Sequence, residues 1–485
     1  MSIVVLGASG DLAKKKTYPA LWALYRENLL PRTLKIFGFA RHSYTSEQFR
    51  EFLTSNIKVS EESSPAFQNF LSICDYFTTP DYSSVDAFKS LAKTCLLPHE
   101  GEKGGNRLFY LALPPSVFVD VCTAIKQGGC SAGGWNRIIV EKPFGHDLAS
   151  STKLSQSLGA LFHESQLFRI DHYLGKEMVQ NLMVLRFANS FFEPIWNRHH
   201  IKNVRIVFKE DFGTQGRGGY FDKYGIMRDV MQNHLMQIFS LLTMEPPVSL
   251  GAEDVRDEKV KVLRATAEIK PEHVVTGQYV RDKAGKHEGY KDDKGVPKTS
   301  VTPTFAQAIL FIQNDRWSGV PFILKTAKAV EERKAEIRIQ FRKSGSSLFP
   351  ESQPNELVIR VQPAEAIYLK TMVKTPGLSS KLVVSDLDLS YHQKFETKYN
   401  PDAYERLILD ATQGDHNLFV RVDELAEAWR IFTPVLHFIE AGGIKPIDYE
   451  YGSRGPARAD EIAKAVASWE PYTYDWLAKK PTNKL

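Results

Sequence analysis

The run RIDHYLGKE, from Arg169 to Glu177, is the most informative stretch of this chain for chemistry. It holds Asp171, His172 and Tyr173 in a row, followed by a glycine turn and Lys176. An aspartate can orient an imidazole, while a ring nitrogen, a phenol and an ammonium group can each donate to a phosphate. A folding rationale alone would not gather so many polar groups, because buried polar atoms must all find partners. A solvated loop is the alternative, but the density of the cluster favours a catalytic and phosphate-binding loop.

His234 is a candidate general base, because an imidazole near neutral pH can accept a proton from a hydroxyl group. It falls within a helix that the pattern predicts from Tyr220 to Leu242, ended by Pro246-Pro247. Asp229 precedes His234 by five residues, which is about 140° around an α-helix, so these two side chains cannot easily hydrogen-bond. Asp171 is therefore the candidate that would orient the His234 ring. A histidine packed in the core is the alternative.

Glu210 follows a predicted strand, Asn203–Lys209, and precedes a glycine-rich turn over residues 213–219. A carboxylate at that place can bind sugar hydroxyls, because it accepts several hydrogen bonds. An exposed strand end is the alternative, and the residues alone leave both open.

A glycine-rich turn follows the first apolar run of the chain. Ile3–Leu6 leads into GASGDLAKK, residues 7–15, and a helical pattern runs from about Gly10 to Asn28. Glycines let the backbone approach a pyrophosphate, and the helix that begins there points its N–H groups at the anion. The spacing is G-x-x-G-x-x-A, and Ala13 stands where only a small residue is needed for packing. A structural turn is the alternative, but its place after the first strand favours dinucleotide binding.

The residue after the second strand indicates which dinucleotide is bound. Enzymes that use NAD place an acidic residue there for the ribose 2′-hydroxyl, whereas this chain has Arg41 after Phe39-Ala40. A guanidinium makes bidentate contacts with a phosphate, which suits the 2′-phosphate of NADP. An exposed surface arginine is the alternative.

Strand-like runs alternate with helical patterns in the first third of the chain. The strands are Ile3–Leu6, Leu34–Ala40, Leu108–Leu113 and Arg137–Val140, and Ser46 is the predicted N-cap of a helix. This alternation predicts an α/β domain with a doubly wound, Rossmann-like parallel sheet.

After about residue 170, strand-like runs follow one another with few helices between them. They cover residues 203–209, 305–312, 322–329, 336–341, 357–361 and 382–384, with helices at 403–411 and 422–439. Such an order predicts a mainly antiparallel sheet in a larger α+β domain, and residues 281–299 read as a surface loop. We therefore expect an NADP-binding domain over residues 1–170. Residues 171–485 would form the domain for substrate binding, catalysis and oligomerisation.

Length and composition exclude several classes of protein. The chain has 485 residues, of which 43% are hydrophobic and 25% charged, as in a globular enzyme of two domains. A net charge of +5 without a dense basic stripe suits an anionic small substrate and predicts no nucleic-acid partner. We expect no membrane association, since there is no apolar run of about 18 residues, and no signal peptide. The cysteines lack metal-ligand spacing, which predicts reduced thiols and no metal: Cys74, Cys95, Cys122 and Cys130.

The chain resembles the glucose-6-phosphate dehydrogenase family through motifs that cover nearly its whole length in order. They are GASGDLAKK (7–15), LFYLALPP (108–115), EKPFG (141–145), RIDHYLGKE (169–177), FGTQGRGGYFDKYGIMRDVMQNHL (212–235), GVPFILKTAKAVEERKAEI (319–337), DAYERLILD (402–410), EAWRIFTP (427–434) and YGSRGP (451–456). The resemblance implies oxidation of glucose 6-phosphate at C1 to 6-phosphogluconolactone, with hydride transfer to NADP⁺. This reaction is the first step of the oxidative pentose phosphate pathway.

The resemblance also implies a role for each matching position. His234 looks like the general base for the C1 hydroxyl, and Asp171 like the residue that stabilises its imidazolium. The residues similar to those that hold the substrate phosphate are His172, Tyr173 and Lys176. The other implied substrate contacts are Lys142, Glu210, Asp229, Lys328, Arg333 and Gln362. The implied coenzyme contacts are Gly7, Ala8, Ser9, Gly10, Asp11, Leu12, Ala13, Lys14, Arg41 and Lys142.

Some members of the family also hold a second, structural NADP. The matching positions are Lys325, Lys334, Arg338, Arg360, Tyr368, Arg454 and Trp476. Lys325 stands where some relatives have an arginine, and the spacing of the tail from Trp469 to Trp476 differs, so the second site stays open.

The family further implies a homodimer or homotetramer in the cytoplasm. The last residues, Asn483-Lys484-Leu485, differ from the peroxisomal Ser-Lys-Leu address only at the first position, which leaves a peroxisome-like organelle open. Because the chain starts almost at the first strand, we expect any N-terminal regulatory segment to be either missing or removed. Two rival functions remain: another NADP-dependent sugar oxidoreductase with this domain plan, and a non-catalytic NADP-binding sensor.

We predict that Arg41→Ala weakens the binding of NADP far more than that of NAD, because only NADP carries the 2′-phosphate. The measurement is the KM for each coenzyme in the variant and in the parent protein. An unchanged ratio of the two KM values would refute the role of Arg41.

Overall fold

The computed structural model describes residues 1–378, 380–390, 394–395 and 399–469. The chain divides into two compact units. Unit 1 contains Met1–Gln180, Met236–Leu263 and Tyr399–Thr433, and unit 2 contains Asn181–Leu235, Arg264–Lys398 and Pro434–Leu485. The functional boundary at residue 170 stays a prediction. Trp476 and the C-terminal Asn483-Lys484-Leu485 lie outside the described residues.

Unit 1 is built on a six-stranded parallel sheet in the order β3-β2-β1-β4-β5-β6. Its strands are β1 (Ser2–Leu6), β2 (Lys35–Ala40), β3 (Cys74–Thr78), β4 (Arg107–Leu111), β5 (Asn136–Val140) and β6 (Leu167–Arg169). Every residue of β1 and β4 is buried, as expected where helices cover both faces of a parallel sheet. The strand order reverses between β1 and β4, where doubly wound folds bind their dinucleotides. The predicted doubly wound sheet is confirmed.

The α-helices cover Tyr18–Arg26, Ser46–Asn56, Ser64–Ser72, Val85–Leu91, Leu97–Glu100, Phe118–Ala124, Leu148–Leu161, Glu177–Phe187, Gly218–Phe221, Met236–Thr243, Ala252–Arg264, Ala403–Gln413, Val422–Glu440 and Ala457–Ala467. The π-helical segments are Ala13–Thr17, Ala92–Leu96, Ile125–Gly129 and Met227–Leu235. The 3₁₀ turns are Glu61–Ser63, Pro115–Val117, Glu164–Gln166, Glu193–Ile195, Pro271–His273 and Tyr290–Asp292. Among the helices of the described residues, none is both long and apolar enough to cross a membrane.

The helix Ser46–Asn56 corrects one prediction. Its N-cap is Thr45 rather than Ser46, because the Thr45 hydroxyl accepts the N–H of Gln48 while the Gln48 side chain accepts the N–H of Thr45. This reciprocal pair is a capping box, and it places the start of the helix by satisfying two otherwise unpaired N–H groups.

A segment far along the chain completes the core of unit 1. Leu407 and Ile408, from the helix Ala403–Gln413, are buried in the same apolar cluster as Ile3 and Val5 of β1. Burial of this helix face against the sheet explains why residues near 400 belong to a unit that begins at residue 1.

Unit 2 is built on a nine-stranded sheet in the order β14-β13-β12-β11-β7-β10-β9-β8-β15. Its strands are β7 (Ile201–Lys209), β8 (Val274–Val280), β9 (Phe305–Phe311), β10 (Pro321–Ala327), β11 (Lys334–Phe341), β12 (Glu356–Gln362), β13 (Ala366–Lys374), β14 (Leu382–Ser390) and β15 (Ile447–Glu450). Neighbouring strands are antiparallel except for the pairs β7–β10 and β8–β15. The mainly antiparallel sheet is confirmed.

Three strands of unit 2 were not predicted from the sequence. β8 carries Gly277 in its middle, β15 has only four residues, and β13 alternates buried and half-exposed side chains. Glycine and short length both weaken the local strand signal, so pairing within the sheet decides these segments.

The helix predicted from Tyr220 to Leu242 is wrong as a single element. The chain leaves helical geometry after Phe221 and resumes it at Met227. Gly225 takes a φ of +68°, and the N–H of Ile226 donates to the carbonyl of Pro303 at 3.0 Å. A left-handed residue cannot continue a right-handed helix, which is why the pattern breaks there.

The predicted surface loop, residues 281–299, is anchored by several contacts within unit 2. Most of its side chains are exposed, but Tyr290 is buried and its hydroxyl donates to Asp222 Oδ1 at 2.7 Å. Asp293 also accepts the N–H of Gly216 at 3.1 Å, and Val296 is buried. Specific side chains therefore fix a segment whose composition indicates only a polar loop.

A buried ion pair joins two sequence-distant segments of unit 1. Lys259 Nζ lies 2.8 Å from Glu424 Oε1, both side chains are fully buried, and Lys259 also donates to Gln237 Oε1 at 2.7 Å. Removal of one member would leave the other charge buried without compensation.

We predict that Glu424→Ala lowers the free energy of unfolding by about 3–5 kcal/mol, the cost of an uncompensated buried charge. The control is Glu427→Ala on the same helix, since Glu427 pairs with Arg430 where both side chains are partly exposed, and a loss below about 1 kcal/mol is expected. Urea unfolding measures both variants. Equal losses would contradict the role of the buried pair.

Candidate active site

The predicted dinucleotide turn forms at the carboxyl end of β1. Gly7 has a φ of +77°, and a Cβ there would lie 2.3 Å from the carbonyl oxygen of Ala112. The N–H of Gly7 donates to the carbonyl oxygen of Phe39 at 2.9 Å, and the N–H of Gly10 donates to the carbonyl oxygen of Gly7 at 2.8 Å. Ala13 is buried, as its expected packing role requires. The turn is therefore fixed by a hydrogen bond to β2 and by close packing against the end of β4. Helical structure begins at Ala13, directly after the turn.

Arg41 lies directly after β2, and its side chain is exposed. The guanidinium carbon is 5.5 Å from the centroid of the Tyr82 ring, a contact that orients a cation over an aromatic face. Arg41 therefore lies at the carboxyl edge of the sheet, where its guanidinium can bind a ligand. It follows the end of β2, the strand whose Phe39 carbonyl accepts the N–H of Gly7.

The Asp171–Lys176 loop begins two residues after β6. Asp171 is buried, and its Oδ1 accepts the N–H of Tyr173 at 2.9 Å. The N–H of Lys176 donates to the carbonyl of Tyr173 at 3.1 Å. His172 and Lys176 are partly exposed, whereas the Tyr173 side chain is buried. The loop therefore presents an imidazole and an ammonium group from a backbone that hydrogen bonds hold in a tight turn.

A close backbone contact fixes this loop from one side. A Cβ at Gly175 would lie 2.6 Å from the carbonyl oxygen of Ala403, which begins the helix Ala403–Gln413. Only glycine permits this approach, so the glycine of the opening motif serves packing as well as the turn.

Glu141 lies among the candidate site residues but was not predicted from the sequence as one of them. It follows β5 directly, beside Lys142, and its carboxylate is buried. The hydroxyl of Tyr110, on β4, donates to Glu141 Oε1 at 2.6 Å. Burial raises the pKa of the Glu141 carboxyl to about 7, and the charge of Asp171 adds to this rise. An acidic residue directly after the apolar residues Ile138, Ile139 and Val140 that end β5 was the signal that could have found it.

His234 lies in the π-helix Met227–Leu235 of unit 2 and is buried. Each N–H of a π-helix bonds five residues back, so Asp229 is one turn away rather than 140° around the axis. The predicted angle of 140° assumed an α-helix, and this geometry is corrected by the π-helix. The π-helix packs on β7 and β10.

Two predicted substrate residues meet at the ends of those strands. Glu210 follows β7 and Lys328 follows β10, and the parallel register that pairs Lys209 with Ala327 brings them side by side. Lys328 Nζ forms an ion pair with Glu210 Oε2. The same ammonium lies 5.8 Å from the Phe212 ring centroid, as does the guanidinium carbon of Arg333, so both cations lie near this ring.

Gln362 ends β12 and pairs with Ala335 of β11, two positions after Arg333. The sheet therefore brings Gln362 near Arg333, while Asp229 stays on the π-helix that packs on β7 and β10.

The positions matched to a structural NADP form two groups in unit 2. Glu336 gathers the first group by ion pairs and a tyrosine hydrogen bond: Lys334, Arg338, Arg360 and Tyr368. In the second group, Lys325 Nζ donates to the carbonyl of Arg454 at 3.4 Å. Burial lowers the pKa of Lys325 well below its usual value. Trp476 lies outside the described residues.

Family models match both halves of the chain. The model described as the glucose-6-phosphate dehydrogenase NAD binding domain matches residues 4–181, and the one described as its C-terminal domain matches residues 183–470. The chain belongs to the glucose-6-phosphate dehydrogenase family. As a member it is an oxidoreductase, and its cofactor is NADP.

Relatives of known name are similar to this chain over almost its full length. Glucose-6-phosphate 1-dehydrogenase of Dictyostelium discoideum is 53% identical, covering 99% of this chain and 97% of the relative. Glucose-6-phosphate 1-dehydrogenase 5, cytoplasmic, of Arabidopsis thaliana is 52% identical, covering 98% and 93%.

Two solved structures have the same fold over almost the whole chain. A glucose-6-phosphate dehydrogenase in complex with its substrate glucose-6-phosphate is 48% identical, with a TM-score of 0.93 over 98% of both chains. Glucose-6-phosphate 1-dehydrogenase from Mycobacterium avium is 33% identical, with a TM-score of 0.82 over 97% of this chain and 98% of the other.

We predict that Glu141 makes the folded protein less stable as pH rises. Its folded pKa of about 7 exceeds the reference value of 4.5, so its contribution is fully present below pH 4.5 and is lost as pH rises through about 7. The stability of the parent protein relative to Glu141→Gln should therefore fall between pH 5 and pH 8, by on the order of 3 kcal/mol. Urea unfolding of both proteins across this range measures it, and a constant difference would contradict the raised pKa.

Proposed function

We infer that this chain oxidises D-glucose 6-phosphate at C1 to 6-phospho-D-glucono-1,5-lactone and produces NADPH. The observation that carries the inference is full-length similarity to relatives named for this activity, with 48% identity to a structure that holds the substrate. The reaction is the first step of the oxidative pentose phosphate pathway.

We propose His234 as the general base that takes the proton of the C1 hydroxyl. Loss of a hydride from C1 leaves positive charge on that carbon unless the hydroxyl proton departs, so a base is required. A neutral imidazole is suited to this near pH 7. Support comes from its place in a π-helical segment, a geometry that occurs frequently at functional sites. Asp171 is proposed to stabilise the imidazolium that forms, a role that suits its buried carboxylate.

We propose His172, Tyr173 and Lys176 as the residues that hold the substrate phosphate. The partial exposure of His172 and Lys176 on a rigid turn supports their roles. The buried Tyr173 side chain fits a contact made at the inner side of the phosphate.

The sugar hydroxyls are assigned to a second group of residues. Glu210 and Lys328 form a partly exposed ion pair that can accept from and donate to adjacent hydroxyls. The remaining proposed contacts are Lys142, Asp229, Arg333 and Gln362.

The residues of the first turn fit NADP. Gly7 and Gly10 let the backbone turn tightly at the carboxyl edge of the sheet, and Arg41 offers a guanidinium there for the 2′-phosphate. We propose that Ala8, Ser9, Asp11, Leu12, Ala13, Lys14 and Lys142 complete this site. When bound, NADP⁺ supplies the acceptor for the hydride that leaves C1.

Several broader assignments follow from the family. We propose that residues 1–170 bind NADP and that residues 171–485 bind substrate, catalyse and form a homodimer or homotetramer in the cytoplasm. A second, structural NADP is proposed at Lys325, Lys334, Arg338, Arg360, Tyr368, Arg454 and Trp476.

We predict that His234→Asn lowers kcat by roughly 10²–10⁴-fold, the usual contribution of general-base catalysis, while the binding of substrate changes little. The assay is NADPH formation at 340 nm with glucose 6-phosphate, with parallel runs on free glucose and with NAD. His273→Asn, at a partly exposed histidine of unit 2, is the matched control and should keep the parent kcat.

Three outcomes would oppose the assignment. A parent-like kcat in His234→Asn removes His234 from the mechanism. Equal rates with glucose and glucose 6-phosphate favour another sugar oxidoreductase. Bound NADP without turnover in the parent protein favours the sensor.

A further inference from the structure

The helix that Ala403 begins contacts both neighbours of Lys176 in unit 1. The carbonyl oxygen of Ala403 lies so close to Gly175 that a Cβ there would be only 2.6 Å away. Three residues further along, the guanidinium of Arg406 forms an ion pair with the carboxylate of Glu177. Residues three apart in an α-helix are neighbours on one face, so a single helix face holds the residues on either side of Lys176.

Lys176 stands directly before the helix Glu177–Phe187, and its backbone belongs to the first turn of that helix. Its carbonyl oxygen accepts the N–H of Val179 at 3.0 Å and the N–H of Gln180 at 3.1 Å. The side-chain amide of Gln180 also donates to the carbonyl of Leu174 at 3.4 Å. The direction in which the Lys176 side chain leaves the backbone is therefore set by how this first turn is held.

The guanidinium of Arg406 spans the same turn. Its Nη1 donates to Gln180 Oε1 at 3.2 Å, while its Nη2 donates to the Glu177 carboxylate. Glu177 and Gln180 are three residues apart, so their side chains share one face of the helix. The rigid planar fork of an arginine can reach two such acceptors at once, whereas an ammonium group is a compact point charge. Arg406 thus ties the turn at two places.

The charge of Arg406 also suits the loop. Glu177 is adjacent to Lys176, which is assigned to the substrate phosphate, and an uncompensated carboxylate there would repel a phosphate. The ion pair with Arg406 compensates this negative charge. Position and charge are therefore two separate ways in which Arg406 can act on the phosphate site, and a substitution that keeps the charge distinguishes them.

We propose that Arg406 is a positioning residue that holds Lys176 in the direction required by the substrate phosphate. The proposal rests on the function inferred above and deepens it, because it adds a residue that acts on the phosphate site through Lys176. The helix that carries Arg406 is itself fixed in unit 1. Leu407 is buried in the core, and Arg137 Nη1 donates to the carbonyl of Ala411 at 2.9 Å near the end of the helix.

The test is steady-state kinetics of Arg406→Lys and Gln180→Met. Arg406→Lys keeps the positive charge beside Glu177 and removes the fork that joins Glu177 to Gln180. Gln180→Met keeps the length of the side chain and removes the hydrogen bonds of the amide without changing any charge. Each substitution should raise the KM for glucose 6-phosphate about 3- to 10-fold, the equivalent of one hydrogen bond, and leave the KM for NADP within two-fold.

Two further variants make the result specific. Arg421 is another arginine of unit 1 whose guanidinium joins two carboxylates, those of Glu253 and Asp257, so Arg421→Lys is the matched control and should keep both KM values. The dependence on Lys176 is tested with Lys176→Gln/Arg406→Lys. Once the ammonium group is absent its direction no longer matters, so this double variant should match Lys176→Gln within two-fold.

The outcomes separate this proposal from the proposed function. In a parent enzyme that turns over glucose 6-phosphate, KM values within two-fold of the parent in both single variants overturn the positioning role alone. Equal rises in the KM for both substrates, or a double variant whose effect is the product of the single effects, also overturn it. A lower kcat at unchanged KM would indicate a smaller folded fraction and would count against positioning.

A last comparison separates position from charge. If Arg406→Gln raises the KM for glucose 6-phosphate while Arg406→Lys does not, Arg406 acts by its charge alone and the positioning role is wrong. Absence of turnover in the parent protein overturns the proposed function, and the positioning role fails with it.

Discussion

The parallel alignment of β1, β2, β4, β5 and β6 is the constraint on which the candidate site of unit 1 depends. Parallel strands all end at one edge, so residues far apart in sequence leave the sheet together. Gly7, Arg41, Glu141 and Asp171 each follow a different strand of that sheet. A change in the order of these strands would scatter the nucleotide turn, the 2′-phosphate arginine and the substrate loop, even if each local motif stayed intact.

Unit 2 also brings site residues together at the common edge of two parallel strands, within a different sheet. Six of its eight neighbouring strand pairs are antiparallel, yet β7 and β10 run parallel at the centre. Because they end at the same edge, Glu210 and Lys328 pair directly. An antiparallel arrangement would have placed these two residues at opposite edges of the sheet.

Packing between distant segments supplies the rest of the site. The helix Ala403–Gln413 buries Leu407 and Ile408 in the core of unit 1, and this places Ala403 against Gly175 and the ring of Tyr404 beside that of His172. Buried carboxyls such as Glu141 and Glu424 are unfavourable by themselves and persist where partners from other segments compensate them. The polar interior is thus a consequence of how three separate stretches of chain meet.

The amino-acid sequence was enough to predict the doubly wound sheet, the mainly antiparallel sheet, the family and the identity of the main candidate side chains. Those features rest on local signals: apolar periodicity, glycine turns and motif order. The break at Gly225, the π-helical register that brings Asp229 one turn from His234, and the parallel β7–β10 pair depend on the tertiary structure. So does the hydrogen bond from Tyr110 to Glu141. Each of these depends on hydrogen bonds or burial between residues distant in the chain, and no local pattern encodes such partners.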